Sequence, residues 1–296
     1  MTSDGETGRD GGPGSRDEGR GGVLRGEGAR AAVAGRLRMA RAFAGEAASV
    51  GMAEFRKPTL RVEAKEDGSH VTPVDREIER LFRDRVAEEF PEDGVLGEEF
   101  GETAGEGSCR WIVDPIDGTH GYIRGLPLWA TLIGIEWDGV LAAGLASFPA
   151  LGELVYGGPG LGVMEQADAA WVDGSGGERA CVVSDVDGMD DGILELSKPQ
   201  TWAGAGEERT LARLIETTSK SRGWDDAYSF ALVATGRVEA AVSLRMKLWD
   251  VAAFVPIVTA AGGRMTDWDG ASATDGGRTI ASNGLVHDRL VEAVAG

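Results

Sequence analysis

Positive charge, histidine and cysteine are all scarce in this chain. Its 296 residues carry 30 Lys and Arg against 49 Asp and Glu, a formal net charge of −19. Nucleic-acid binding normally needs a basic footprint, so the balance argues against that partner. The two cysteines, Cys109 and Cys181, supply no disulfide framework and no metal spacing. A reduced, cytoplasmic compartment is the expectation. The three histidines, His70, His120 and His287, lie far apart in sequence and show no ligand spacing. No Ser/His/Asp or Cys/His nucleophile is evident either. No apolar run approaches membrane-spanning length, and the N-terminus lacks the apolar core of a signal peptide. What remains is a soluble globular composition, 42% hydrophobic, long enough for one large or two small domains.

Carboxylates are abundant, and some recur in a pattern. The run Trp111-Ile112-Val113 ends in Asp114-Pro115-Ile116-Asp117-Gly118-Thr119. It reads as a buried strand whose end presents two aspartates into a crevice. Pro115 then sets φ for a turn, Gly118 allows close backbone approach to a ligand, and Thr119 adds a hydroxyl. Hard oxygen ligands beside an anion site suit Mg²⁺, which keeps waters and binds substrate phosphates. The competing reading is that Asp114 and Asp117 are turn and cap residues.

Three further acidic segments weigh against that alternative. Glu98 and Glu99 lie between Gly97 and Gly101, after the strand-like Val95-Leu96. Asp250 opens an apolar helical segment that ends at Gly262-Gly263, with Pro256 near its first turns or at a kink. Asp75 opens an amphipathic helix through Ile78, Leu81, Phe82 and Val86. Taken singly, Asp250 and Asp75 read as N-caps, and the Glu pair as solvated surface.

Elsewhere the pattern predicts mixed α/β layers. Residues 1–28 are Gly-rich and read as a disordered tail; 29–296 read as one catalytic domain, with an α+β half to about 157 and an α/β half from about 158. A helix is expected from Ala29 to near Gly51 and a second from Pro73 to Phe90. Strands are expected at 60–64, 95–96, 111–113, 130–137, 140–148, 153–156 and 239–243. Asp138-Gly139 marks a hairpin. Helices are expected at 209–217 and 229–235. Trp137, Trp171, Trp202 and Trp268 read as packing or edge residues.

Together the segments GEEFGE, WIVDPIDGT and WDVAA…AGG resemble the inositol monophosphatase superfamily of metal-dependent, lithium-sensitive phosphatases, over roughly Ala29 to the C-terminus. Residues 122–133 and Asp226-Ala227-Tyr228-Ser229-Phe230 are most similar to its histidinol-phosphatase branch. The resemblance implies a layered α-β-α-β-α sandwich of the inositol monophosphatase and fructose-1,6-bisphosphatase type, two or three Mg²⁺ ions, a small phosphate monoester as substrate, and a homodimer. It implies that Glu98, Asp114 and the Ile116 carbonyl hold a first ion. Asp114, Asp117 and Asp250 would hold a second, and Glu98 with Asp75 a weaker third. Thr119 with Glu98 would orient or deprotonate the attacking water. The Gly118 and Thr119 amides would hold phosphate, and Lys65 matches a family lysine beside the metals. Physics agrees: phosphate-monoester hydrolysis is very slow uncatalysed, and clustered carboxylates without a cation repel one another.

Specificity is where the chain departs from its relatives. Ser243-Leu244-Arg245-Met246-Lys247 stands where those relatives carry acidic residues before the Trp-Asp motif. Arg245 and Lys247 would disfavour an ammonium and favour an anionic or neutral group, unless they form a solvated strand edge. Asp226 is a candidate for binding an amine, and His120 borders the site as a substrate contact or a solvated loop residue. L-histidinol phosphate, inositol monophosphate and an ester from a specialised biosynthetic pathway are the substrate readings. A binding protein that has lost turnover is the alternative of another class, weakened by the full set of carboxylates.

Overall fold

The computed structural model describes residues 24–66, 68–224, 226–273 and 276–296. The expected tail therefore lies outside the described residues up to position 23. The first helix, α1, spans Glu27–Glu54 and begins two residues before the expected start. A two-stranded hairpin follows, β1 (Glu63–Ala64) with β2 (His70–Val71), then α2 (Pro73–Glu89). Next come β3 (Gly94–Gly97), β4 (Gly101–Thr103), β5 (Cys109–Asp117) and the short α3 (Thr119–Ile123). A meander of β6 (Ala130–Trp137), β7 (Val140–Phe148), β8 (Glu153–Gly157), β9 (Ala169–Val172) and β10 (Glu178–Ala180) completes the larger sheet. The rest is β11 (Ile193–Leu196), α4 (Pro199–Ala205), α5 (Glu208–Glu216), β12 (Lys220–Arg222), α6 (Asp226–Ala234) and β13 (Ala240–Met246). Then follow α7 (Leu248–Val251), α8 (Phe254–Ala260), β14 (Arg264–Thr266), β15 (Gly277–Ser282) and α9 (His287–Ala295).

Two sheets organise these elements. The first has eight strands in the order β10-β9-β8-β7-β6-β5-β3-β4, the second five in the order β12-β11-β13-β15-β14. Alternation along the strands assigns their faces. Trp111 and Val113 of β5 join Phe43 of α1 and Phe82 of α2 in an outer core, while Ile112 points the other way. On that side Ile112, Leu132 and Phe148 meet Phe230 of α6, Ile257 of α8, and Ala241 and Ala281 of the second sheet. The far face of the second sheet, Val242 and Ile280, packs on Trp202, Leu214 and Leu290 of α4, α5 and α9. The result is helix, sheet, helix, sheet, helix. Each fully buried Phe or Trp in these layers contributes roughly 1.5–3 kcal/mol.

Local chemistry accounts for several boundaries. Asp138 and Gly139 both have positive φ, 49° and 79°, as a tight hairpin turn requires. Pro256 does break the segment after Asp250: α7 stops at Val251 and α8 restarts at Phe254, with the proline in its first turn. Trp202 and Trp268 stack at 5.8 Å in the outermost core.

Candidate active site

The acidic motif lies inside strand β5 rather than after it, which corrects the expected turn. β5 pairs with β6 as far as Asp117↔Ala130, and its register shifts between Asp114 and Asp117. A bulge absorbs Pro115, whose missing N–H could not pair there. The freed Pro115 carbonyl accepts from the Thr131 hydroxyl at 2.9 Å. The bulge lets both aspartates face one place.

Asp250 arrives on the short helix α7, which follows β13 of the other sheet. One carboxylate oxygen each of Asp114, Asp117 and Asp250 lie within 4.8 Å of one another. Asp250 is not the expected N-cap. It is the third residue of α7, and its carboxylate accepts from the Lys247 backbone N–H at 2.7 Å. Asp75 repeats this geometry in α2. Thr72 is the cap, and the Asp75 carboxylate accepts from the Thr72 N–H at 2.9 Å and its hydroxyl at 2.6 Å. At this position a carboxylate secures the helix start while keeping its other oxygen for the site.

The electrostatics are those of carboxylates crowded against one another. Burial, followed by the charges of Glu98, Asp117 and Asp250, pushes Asp114 well above the carboxylate range. Burial and then Asp226 and Asp250 do the same to Asp117, against one N–H from Ala227 at 2.8 Å. Asp250 is pushed up to about 7, chiefly by burial. Among the described residues, Asp114 Oδ1 is buried without a hydrogen-bond partner. A buried orphan oxygen among hard, mutually repelling donors fits a divalent cation, which would supply the missing charge.

The remaining expected residues surround this cluster. Glu98 follows β3, which runs parallel to β5, and its N–H donates to the Val113 carbonyl at 3.2 Å. Lys65 Nζ bridges Glu98 at 2.8 Å and Glu99 at 2.6 Å, while burial raises Glu99 to about 7. The Thr119 hydroxyl donates to the Ile116 carbonyl at 2.9 Å and lies 3.4 Å from Asp75 Oδ1. Gly118 caps α3 at φ 76°, and a Cβ there would stand 3.2 Å from Asp226 Oδ2. Glycine meets that conformation and that approach without strain.

Asp226 thus lines the site, itself at φ 52°, with Lys198 3.6 Å away. Ser243 is buried within β13 opposite Thr279. Arg245, at φ 59°, turns its guanidinium onto the Gly204 carbonyl at 2.7 Å. Lys247 is exposed just before α7. His120 comes beside His70, their rings 5.8 Å apart, although fifty residues separate them. The sequence reading missed Lys198 and the buried Glu79. Glu79 had a signal: a charge on the apolar side of α2, one turn after Asp75.

Comparison with known proteins identifies the family and the fold. The pattern of the inositol monophosphatase family matches residues 35–295. The histidinol-phosphatase of Mycobacterium tuberculosis is 38% identical over 255 residues, covering 86% of this chain and 96% of the relative. The fructose-1,6-bisphosphatase/inositol-1-monophosphatase of Thermotoga maritima is 31% identical, covering 76% and 82%. Among solved structures, the extragenic suppressor protein suhB of Bartonella henselae superposes with a TM-score of 0.79 at 27% identity, covering 88% of this chain and 98% of that one. A carboxylate triad with two buried members on this layered fold, matched along nearly the whole domain, places the chain in the inositol monophosphatase family of phosphatases.

Proposed function

We propose that the protein hydrolyses a small phosphate monoester with Mg²⁺, and that L-histidinol phosphate is the substrate. The observation that supports the chemistry is the triad Asp114, Asp117 and Asp250, whose carboxylates converge within 4.8 Å. Glu98, Asp114 and the Ile116 carbonyl would hold one ion, Asp114, Asp117 and Asp250 a second, and Glu98 with Asp75 a third. Such ions supply positive charge toward the phosphoryl oxygens and lower the pKa of the attacking water. Thr119 orients that water, its hydroxyl already fixed between Ile116 and Asp75. The Gly118 and Thr119 amides hold the phosphate, and the Asp226 carboxylate faces the alcohol portion of the ester.

The high identity to histidinol-phosphatases favours an ammonium-bearing alcohol opposite Asp226. A second reading rests on Lys198, which stands 3.6 Å from Asp226 and competes for that role. It favours a neutral polyol such as inositol monophosphate. Ser243, Arg245 and Lys247 would then shape the same side of the pocket. Phosphate release from histidinol phosphate and inositol 1-phosphate, side by side with Mg²⁺, separates the two. Preference for the first supports the proposal; preference for the second replaces its substrate; Mg²⁺-independent release from both sinks the chemistry.

A further inference from the structure

Glu79 has no exposed surface, yet nothing in the reaction above uses it. It sits one turn after Asp75 on α2, and its carboxylate leaves that helix to meet the loop after β3. Its Oε2 accepts from the Glu99 N–H at 2.7 Å and its Oε1 from the Phe100 N–H at 3.2 Å. Arg83, a further turn along, donates to Glu79 at 2.9 Å and reaches on to the Thr103 hydroxyl at 3.0 Å. The buried charge is therefore paired and hydrogen-bonded, as a charge without water must be.

The fit is close enough to dictate the neighbouring residue. A Cβ on Gly97 would come within 2.0 Å of Glu79 Oε1, against a carboxylate already held by two amides and an arginine. Glu98 lies between these two constraints. Its own N–H is tied to Val113, the residue before Asp114, and the next two amides are tied to Glu79. One helix thus carries Asp75 directly and fixes the backbone of Glu98 through Glu79.

We infer that Glu79 is a positioning residue: its carboxylate sets the Glu98 side chain at the correct distance from Asp114 and Asp250 for cation binding. This rests on the metal-dependent reading above. Groups that orient metal ligands typically contribute about 10- to 100-fold to affinity. A merely structural carboxylate would lower stability equally with and without cation.

The test titrates Mg²⁺ against melting temperature in four proteins: wild type, Glu79→Gln, Glu98→Gln and the double variant. The inference expects the midpoint for Glu79→Gln to rise about 10-fold or more. It also expects the double variant to titrate like Glu98→Gln alone, because Glu79 acts through Glu98. An unchanged midpoint in Glu79→Gln, or additive shifts in the double variant, would overturn it while leaving the metal site intact. No Mg²⁺ response in wild type would overturn the metal reading and this assignment with it. Should Glu79→Gln not fold, Glu79→Asp keeps the charge but withdraws the carboxylate. A raised midpoint in that variant supports the inference, and a wild-type midpoint overturns it.

Discussion

Two buried polar centres in this molecule meet the same problem in opposite ways. His287, fully buried at the start of α9, has a hydroxyl on each ring nitrogen: Thr266 Oγ1 at 2.9 Å and Ser282 Oγ at 2.8 Å. The Thr266 hydroxyl donates its one proton to the Asp267 carbonyl at 2.7 Å, so it accepts from Nε2–H, while the Ser282 hydroxyl donates to Nδ1 and the neutral ring is satisfied. The acidic centre has Asp114 Oδ1 without a partner among the described residues and three carboxylates converging, each raised by burial and by its neighbours. The first centre is complete within the chain. On the metal-binding reading proposed above, the second would be completed by a cation, and that difference separates a proposed binding site from a structural polar contact.

The sharpest way to break this comparison is to discharge one centre and watch both activity and stability. Asp117→Asn should lower kcat/KM at least about a thousandfold, roughly 4 kcal/mol of transition-state stabilisation. It should also raise the melting temperature of the metal-free protein, since one repelling charge is gone. Mg²⁺ at 100 times its Kd should stabilise wild type by about 2.7 kcal/mol and the variant by much less. Equal thermal shifts in both proteins would show that Asp117 contributes nothing to cation binding.

Acid should drive the two centres in opposite directions. Burial lowers His287 from 6.5 to about 4, so below pH 6.5 the unfolded chain takes a proton that the fold refuses. Stability from this residue is complete above pH 6.5 and falls towards pH 4, by about 3 kcal/mol in total. Asp250, raised to about 7, has the reverse sign: without metal, the fold binds a proton more readily than the unfolded chain as pH falls below 7. Saturating Mg²⁺ should remove the second slope and expose the first. Stability curves from pH 4 to 8, with and without Mg²⁺ and with His287→Gln, would resolve them. A metal-free slope unchanged by Mg²⁺ would contradict the assignment of Asp250.

How much of this was legible in the sequence follows from where each signal resides. Elements with a long period or a strong turn were readable: α2 from Pro73, and the β6–β7 hairpin around Asp138-Gly139. The short strands β9, β10, β12 and β14, of three or four residues each, carry no period long enough to detect. The carboxylates were legible because their spacing and neighbours formed motifs. Their convergence was not: nothing local states that Asp250, on the short helix after β13 of one sheet, meets Asp114 on the other sheet. Nor could the sequence distinguish an N-cap aspartate from one at the third helical position, since the two differ by a register of three residues around Thr72 or Lys247. Glu79 shows the same limit. Its charge within an apolar stripe was visible, but the amides it holds belong to a loop twenty residues away.

The smallest effect tests the rim, where a half-buried charge meets an exposed one. Lys198 and Asp226 are 3.6 Å apart, with side-chain exposures of 54% and 34%. An exposed pair at that distance contributes no more than about 1 kcal/mol to stability, so Lys198→Met should barely move the melting temperature. Its expected effect is on selection. With the lysine gone, one cation that competes with a substrate ammonium for Asp226 is removed. The KM for histidinol phosphate should then fall several-fold, while that for inositol 1-phosphate stays put or rises. KM should shift more than kcat, because the ammonium lies away from the breaking P–O bond and contributes alike to ground and transition states. Equal KM changes for both esters would show that Lys198 acts on the phosphate common to them, and that Asp226 does not read the alcohol.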